Sequence, residues 1–148
     1  MKSPKVISFR HTGIIVQDMD KAVHFYEGIL GFEIIQKYND SSQYINDVLG
    51  INQAKISMVK LKTKDGYIIE LLKYINHPTE YLSAPFYNVG ICHLAFTIDN
   101  ADQMYKKLQK EGIEVISKPL LSSEKIAKVF FCIDPNGIRI ELVEMLEN

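Results

Sequence analysis

Four side chains carry the chemistry open to this sequence: His11, Glu70, His93 and Glu141. Each histidine opens an apolar, strand-like run, in "HTGII" and "HLAFT". Each glutamate stands four residues after a glycine, in "GYIIELL" and "GIRIELV". Imidazole nitrogen and carboxylate oxygen together suit Zn²⁺, Ni²⁺, Co²⁺, Fe²⁺ or Mn²⁺. Four protein ligands on a six-coordinate ion leave two positions for water or substrate, which is an open site of the catalytic kind. Such an ion acts as a Lewis acid on a substrate oxygen, and a ligand carboxylate that can loosen is able to move a proton. A lone histidine at a strand start is more often structural, and a lone glutamate on a strand more often faces water. The argument for a metal is that the four occupy matched places in two copies of one pattern.

The copies show when the chain is laid over itself. "HTGIIVQDMDKAVHFYEGILGFEII" (11–35) overlies "HLAFTIDNADQMYKKLQKEGIEVI" (93–116). Each runs from histidine through apolar alternation to an aspartate, then a helical segment, then glycine and a short apolar strand. The first helix starts near Asp18 or Asp20 and carries Ala22, Val23, Phe25, Tyr26 and Ile29 as its apolar stripe. The second starts near Asp99 or Asn100, both good N-caps, and carries Met104, Tyr105 and Leu108. Gly31 and Gly112 follow the helices, where a C-terminal glycine is favoured. His11 precedes Glu70 by 59 residues and His93 precedes Glu141 by 48; the loop 38–53 absorbs most of the difference and has room for a short helix. Each copy reads strand, helix, strand, strand, strand. Module one covers about 6–75 and module two about 90–145, with a proline-containing crossover at 76–89 between them, within one domain spanning 1–148. One such module buries only one face of its sheet, so the two are expected to pack together.

Alternation assigns the faces. Cys92, Leu94, Phe96 and Ile98 point one way, and His93, Ala95 and Thr97 the other. His11 shares its side with Gly13 and Ile15, Glu70 with Ile68 and Leu72, and Glu141 with Arg139 and Val143. In both copies the ionisable residue lies opposite the helix-packing face. Two roles are open to Arg139: holding an anionic group of a substrate, or pairing with an acidic neighbour across the sheet. Lys118, Lys125 and Lys128 surround the loop before the penultimate strand and read as a solvated charged loop. Tyr38, Tyr44, Phe86 and Tyr87 fall in segments that read as irregular and are able to cover a ligand or the open edge of a sheet.

The bulk numbers set bounds. The chain has 148 residues, 47% hydrophobic and 24% charged, with a formal net charge of −1, which describes an ordinary globular chain. No basic block or acidic tail is present, so binding to nucleic acid or to a membrane by bulk charge is not expected. The opening "MKSPKVISFR" is too polar for a secretory leader and no 18-residue apolar span occurs, so the cytoplasm is the default location. Cys92 and Cys132 lie in apolar runs and read as reduced core thiols.

The stretches "HTGIIVQDMDKAVHFYEGILGFEII", "GICHLAFTIDNADQMYKKL" and "DPNGIRIELVE" resemble the vicinal oxygen chelate superfamily, which includes glyoxalase I, methylmalonyl-CoA epimerase, extradiol dioxygenases and fosfomycin or bleomycin resistance proteins. The resemblance covers nearly the whole chain. It implies an α+β fold in which two tandem βαβββ modules curl into an open mixed β-barrel round a metal. It makes His11, Glu70, His93 and Glu141 the ligands of a divalent ion. It implies a homodimer, with the site inside one chain or shared between two, and a small-molecule substrate.

The full His-Glu-His-Glu set looks most like glyoxalase I, since the dioxygenases and fosfomycin resistance enzymes lack a carboxylate ligand where Glu70 stands. By that likeness the activity is a metal-dependent lyase or isomerase moving a proton next to a metal-bound carbonyl or enediolate, with Glu141 as base and Glu70 as its partner. Glutathione is the cosubstrate in glyoxalase I. Where that family has two arginines for glutathione carboxylates, this chain has Ile15 and Gln36-Lys37, and lysine does not reproduce the arginine fork. Methylmalonyl-CoA epimerase shares the two histidines, the final glutamate and the proton-transfer chemistry. A metal-dependent dioxygenase and a non-catalytic small-molecule binder complete the alternatives on this fold.

Overall fold

A computed structural model describes residues 3–146. The chain divides into two compact units, Met1–Pro78 and Thr79–Asn148, and the division falls inside the crossover segment.

The first unit runs β1 (Thr12–Ile15), α1 (Met19–Val23), a π-helical continuation (His24–Ile29), β2 (Glu33–Asp40), α2 (Gln43–Leu49), β3 (Ile56–Lys62) and β4 (Ile68–Tyr74). Its four strands lie in the order β1-β4-β3-β2. The β1–β4 pairing is parallel and the other two are antiparallel. Asp18 caps α1 by accepting from the Lys21 amide at 3.0 Å, and Gly31 at φ 80° ends the helical segment. Its stripe of Ala22, Phe25, Tyr26 and Ile29 is buried, as are Leu61, Ile69 and Leu71 on the sheet. Full burial of a side chain such as Leu71 is worth about 2 kcal/mol relative to exposure. On the opposite face Ala54, Ile56 and Met58 form a second cluster with Tyr38, Ile45, Ile51, Leu72 and Tyr74. The short helix foreseen in the 38–53 loop is α2, capped by Ser42 and closed by Gly50 at φ 66°. Tyr38 and Tyr44, read above as loop residues, belong to β2 and α2.

The second unit repeats the plan: β5 (Leu94–Thr97), α3 (Ala101–Lys110), β6 (Leu120–Leu121), β7 (Ala127–Ile133) and β8 (Arg139–Met145), in the order β5-β8-β7-β6. The β5–β8 pairing is again parallel. Asn100 caps α3. The Glu144 carboxylate accepts from the Ala101 amide at 2.8 Å, fastening the start of α3 to β8. Leu108, Phe130, Cys132, Ile140 and Leu142 are fully buried.

Two expectations need correction here. The apolar strand foreseen directly after Gly112 is reduced to a single bridge, Val115 to Cys132, and the regular ladder forms later, at Leu120–Leu121. Pro119, lacking an N–H, stands between the two and interrupts the pairing. Cys132 is buried as expected, but Cys92 is half-buried and lies ahead of β5, with its thiol 3.7 Å from the Phe86 carbonyl.

The two hairpins share one ladder. Ile56 pairs with Tyr74 and Lys60 with Glu70 in the first; Ala127 pairs with Met145 and Phe131 with Glu141 in the second. The offset is a constant 71 residues (56 to 127, 70 to 141). The parallel strands match too: Gly13 stands opposite Glu70, and Ala95 opposite Glu141. α+β architecture and tandem βαβββ modules are thus both present.

Candidate metal-ligand pairs

Turn chemistry brings each glutamate into register. In "DPNG" the buried Asp134 accepts from the amides of Asn136 and Ile138, both at 2.8 Å, through one carboxylate oxygen. Gly137 takes φ 84°, a conformation that costs any residue with a Cβ. The first hairpin uses Thr63, whose hydroxyl receives the Tyr67 amide at 2.9 Å, with Gly66 at φ 91°. Tyr67 also steadies the segment that carries His11. Its hydroxyl lies 2.6 Å from Thr12 Oγ1 and its ring stacks on Phe9 at 5.9 Å.

In the first unit His11 Nε2 lies 3.9 Å from Glu70 Oε1. Glu70 is 8% exposed, one of the few buried charged groups. Its other oxygen, Oε2, is 3.2 Å from Lys60 Nζ. Lys60 also lies over the Tyr38 ring, 5.4 Å from its centroid. Burial opposes the lysine charge, but the hydrogen bond and charge of Glu70, with help from Tyr38, outweigh it and hold the ammonium above its ordinary pKa.

In the second unit His93 Nε2 lies 3.0 Å from Glu141 Oε2. Phe131 takes the ladder place that Lys60 has in the first, and its ring meets His93 edge-on at 5.3 Å. Phe86 packs edge-on against Phe131 at 5.5 Å, and the Arg139 guanidinium sits 4.1 Å from the Phe86 ring centroid. Arg139 also donates to the Ala84 carbonyl. Its fork is engaged with the 84–86 segment, rather than in the cross-sheet acid pair foreseen as one of its two roles. Lys128, read as a solvated loop charge, belongs to β7 and pairs with Asp102 at 2.6 Å.

Taken pair by pair, the donor spacing is near that of two ligands of one ion. Two ligand atoms each about 2.1 Å from one metal stand about 3 Å apart. The His93–Glu141 separation of 3.0 Å already meets this, and the His11–Glu70 separation of 3.9 Å needs a closing movement of less than 1 Å. Among the described residues no group of three or more His, Cys, Asp or Glu forms a ligand cluster. The candidates stand in two pairs, one in each unit. Lys60 escaped the sequence reading. Extending the repeat by one more strand, "ISMVKLK" over "AKVFFCI", would have found it, because lysine then faces phenylalanine at the position opposite each glutamate.

The sequence pattern of the Glyoxalase/Bleomycin resistance protein/Dioxygenase superfamily matches residues 8–142, and the chain belongs to that superfamily. It is 31% identical over 139 residues to an uncharacterised protein, YwkD, of Bacillus subtilis (strain 168), covering 93% of this chain and 96% of that one. It is 29% identical over 147 residues to the lactoylglutathione lyase of Schizosaccharomyces pombe (strain 972 / ATCC 24843), covering 93% of this chain but only 47% of the yeast enzyme. A glyoxalase family protein from Bacillus cereus superposes with a TM-score of 0.90 over 99% of both chains, at 25% identity. Among the described residues no helix is long and apolar enough to cross a membrane.

Proposed function

We propose that the protein is a metal-dependent lyase or isomerase of the glyoxalase I kind, with His11, Glu70, His93 and Glu141 as its metal ligands. The observation that carries this reading is the recurrence of one His–Glu pair at the same ladder position in both units. The yeast relative's name, lactoylglutathione lyase, supports the reaction class. The ion, when bound, supplies Lewis acidity at a substrate oxygen and raises the acidity of the neighbouring C–H.

The chain's own residues do the rest. Glu141 removes the proton from that carbon and returns it to the adjacent one. The Phe131 ring packs edge-on against His93, and Phe86 against Phe131, which would hold the imidazole in place beside Glu141. Glu70 is the partner carboxylate. Arg139 serves the fold of the 84–86 segment, which leaves any anionic part of the substrate to other side chains. Where the family carries arginines for glutathione, Ile15 and Gln36-Lys37 offer one ammonium, so a substrate smaller than a glutathione adduct fits the reading as well.

The test is turnover of methylglyoxal with glutathione, and separately epimerisation of methylmalonyl-CoA, by protein loaded with Ni²⁺, Co²⁺ or Zn²⁺. Metal-dependent activity on the first, lost in Glu141→Gln, is the expected result. Activity only on the second moves the assignment to the epimerase. Metal content below about a tenth of an equivalent per chain after loading refutes both and leaves a binding protein on this fold.

A further inference from the structure

We propose that Lys60 is a built-in rival of a divalent ion at Glu70, so that this carboxylate takes an ion only by leaving its lysine. This rests on the metal-dependent reading above. Lys60 and Glu70 stand directly opposite each other on β3 and β4. Each carboxylate oxygen faces a different cationic or metal-seeking group: Oε2 meets Lys60 at 3.2 Å, and Oε1 meets His11 at 3.9 Å. The lysine is not a loose surface charge. Its side chain is 22% exposed, that of Glu70 is 11% exposed, and the Tyr38 ring lies against the ammonium at 5.4 Å. The second unit has no such device at the matching place, where Phe131 brings no charge, and there the His–Glu pair is closed to 3.0 Å.

Two consequences follow from Coulomb's law. Lys60 already offsets the Glu70 charge that would attract a cation. It also repels any doubly charged ion that shares this carboxylate, and partial burial keeps water from screening the repulsion. At the matching place Phe131 sets no charge against Glu141. Glu70 therefore passes between lysine and metal according to whether an ion is there.

The experiment measures metal binding by the full chain, by calorimetry and by the visible spectrum of bound Co²⁺, in the wild type, Lys60→Met, Lys60→Arg, Glu70→Gln and the Lys60→Met/Glu70→Gln double variant. Removing the charge at constant side-chain length should lower the dissociation constant at least tenfold. Lys60→Arg should bind like the wild type. In the Glu70→Gln background the same lysine substitution should change binding less than threefold, because the contested carboxylate is gone. The metal-free Lys60→Met protein should melt lower than the wild type, since Glu70 then lacks its cation, and should regain more on loading. If it fails to fold, Lys60→Gln carries the same expectations. A dissociation constant within twofold of the wild type, or larger, overturns the proposal. So does a tenfold gain that persists in the double variant. A wild type that takes up no metal removes the proposed function and this inference together, whereas a wild type that binds metal and ignores Lys60→Met removes this inference alone.

Discussion

Asp134→Ala is the substitution whose effect follows most directly from the geometry. The Asp134 carboxylate accepts two backbone amides at 2.8 Å and, through its second oxygen, the Asn136 side chain at 3.0 Å. A hydrogen bond to a charged group is worth about 1.5–3 kcal/mol. The freed amides lie at a turn, where water replaces part of each bond, so the low end applies and the two together cost about 3 kcal/mol. Unfolding entropy of about 2.1 cal/mol/K per residue gives about 0.3 kcal/mol/K for all 148 residues. A chain that melts as one body should therefore lose about 10 °C in Tm. If the 70-residue unit Thr79–Asn148 melts by itself, the loss roughly doubles, to about 20 °C. Asp134→Asn keeps an acceptor oxygen without the charge and should lose about half as much. Differential scanning calorimetry reads all of this. A loss under 3 °C for the alanine variant would mean that the turn forms without its aspartate, and that the register of Glu141 is set by strand packing alone.

Further outcomes follow from the same structure. Burial, with the nearby Asp134 charge, pushes the Cys132 thiol up to about 12 from an ordinary 9.0, so iodoacetamide at pH 8 should modify Cys92 and spare Cys132 in the folded protein, as peptide mass spectrometry would read. The unfolded thiol ionises near 9 while the folded one keeps its proton to about 12, so its contribution to stability is intact below pH 9 and is lost as pH rises toward 12; Cys132→Ala should flatten that decline in thermal melts. Glu144→Ala removes the acceptor at the first amide of α3 and should cost about 1 kcal/mol in urea titration. Lys128→Ala breaks the exposed pair with Asp102 and should shift the same titration by under about 1 kcal/mol.

Much of this architecture was legible because it repeats. Asp18 and Asn100, each one of two N-cap candidates, start their helices, Gly31 and Gly112 follow them, and the matched Gly-to-Glu spacings fall at one ladder position in the two hairpins. The period of two in "CHLAFTI" shows in the burial, where Leu94 and Phe96 are half-buried and His93, Ala95 and Thr97 are exposed. What escaped was information that no local pattern carries. Pro119 cut the strand after Gly112 short by denying it an amide, although "IEVI" has strand composition. Arg139 has the alternation of a cross-sheet partner, yet its fork reaches the Ala84 carbonyl and the Phe86 ring, 55 residues or so earlier in the chain. Lys60 was overlooked for a related reason. A lysine on an amphipathic strand reads as solvated until the register shows that the residue opposite is a buried glutamate.

The constant 71-residue offset gives the two hairpins one internal frame. Residues 127–145 laid over 56–74 keep every cross-strand partner within the hairpin, and the five-residue turn has the same length. The overlay puts phenylalanine in the seat of Lys60 and a glutamate in the seat of Glu70. The two halves thus share one frame and differ at the seat opposite the glutamate, a matched but unequal pair.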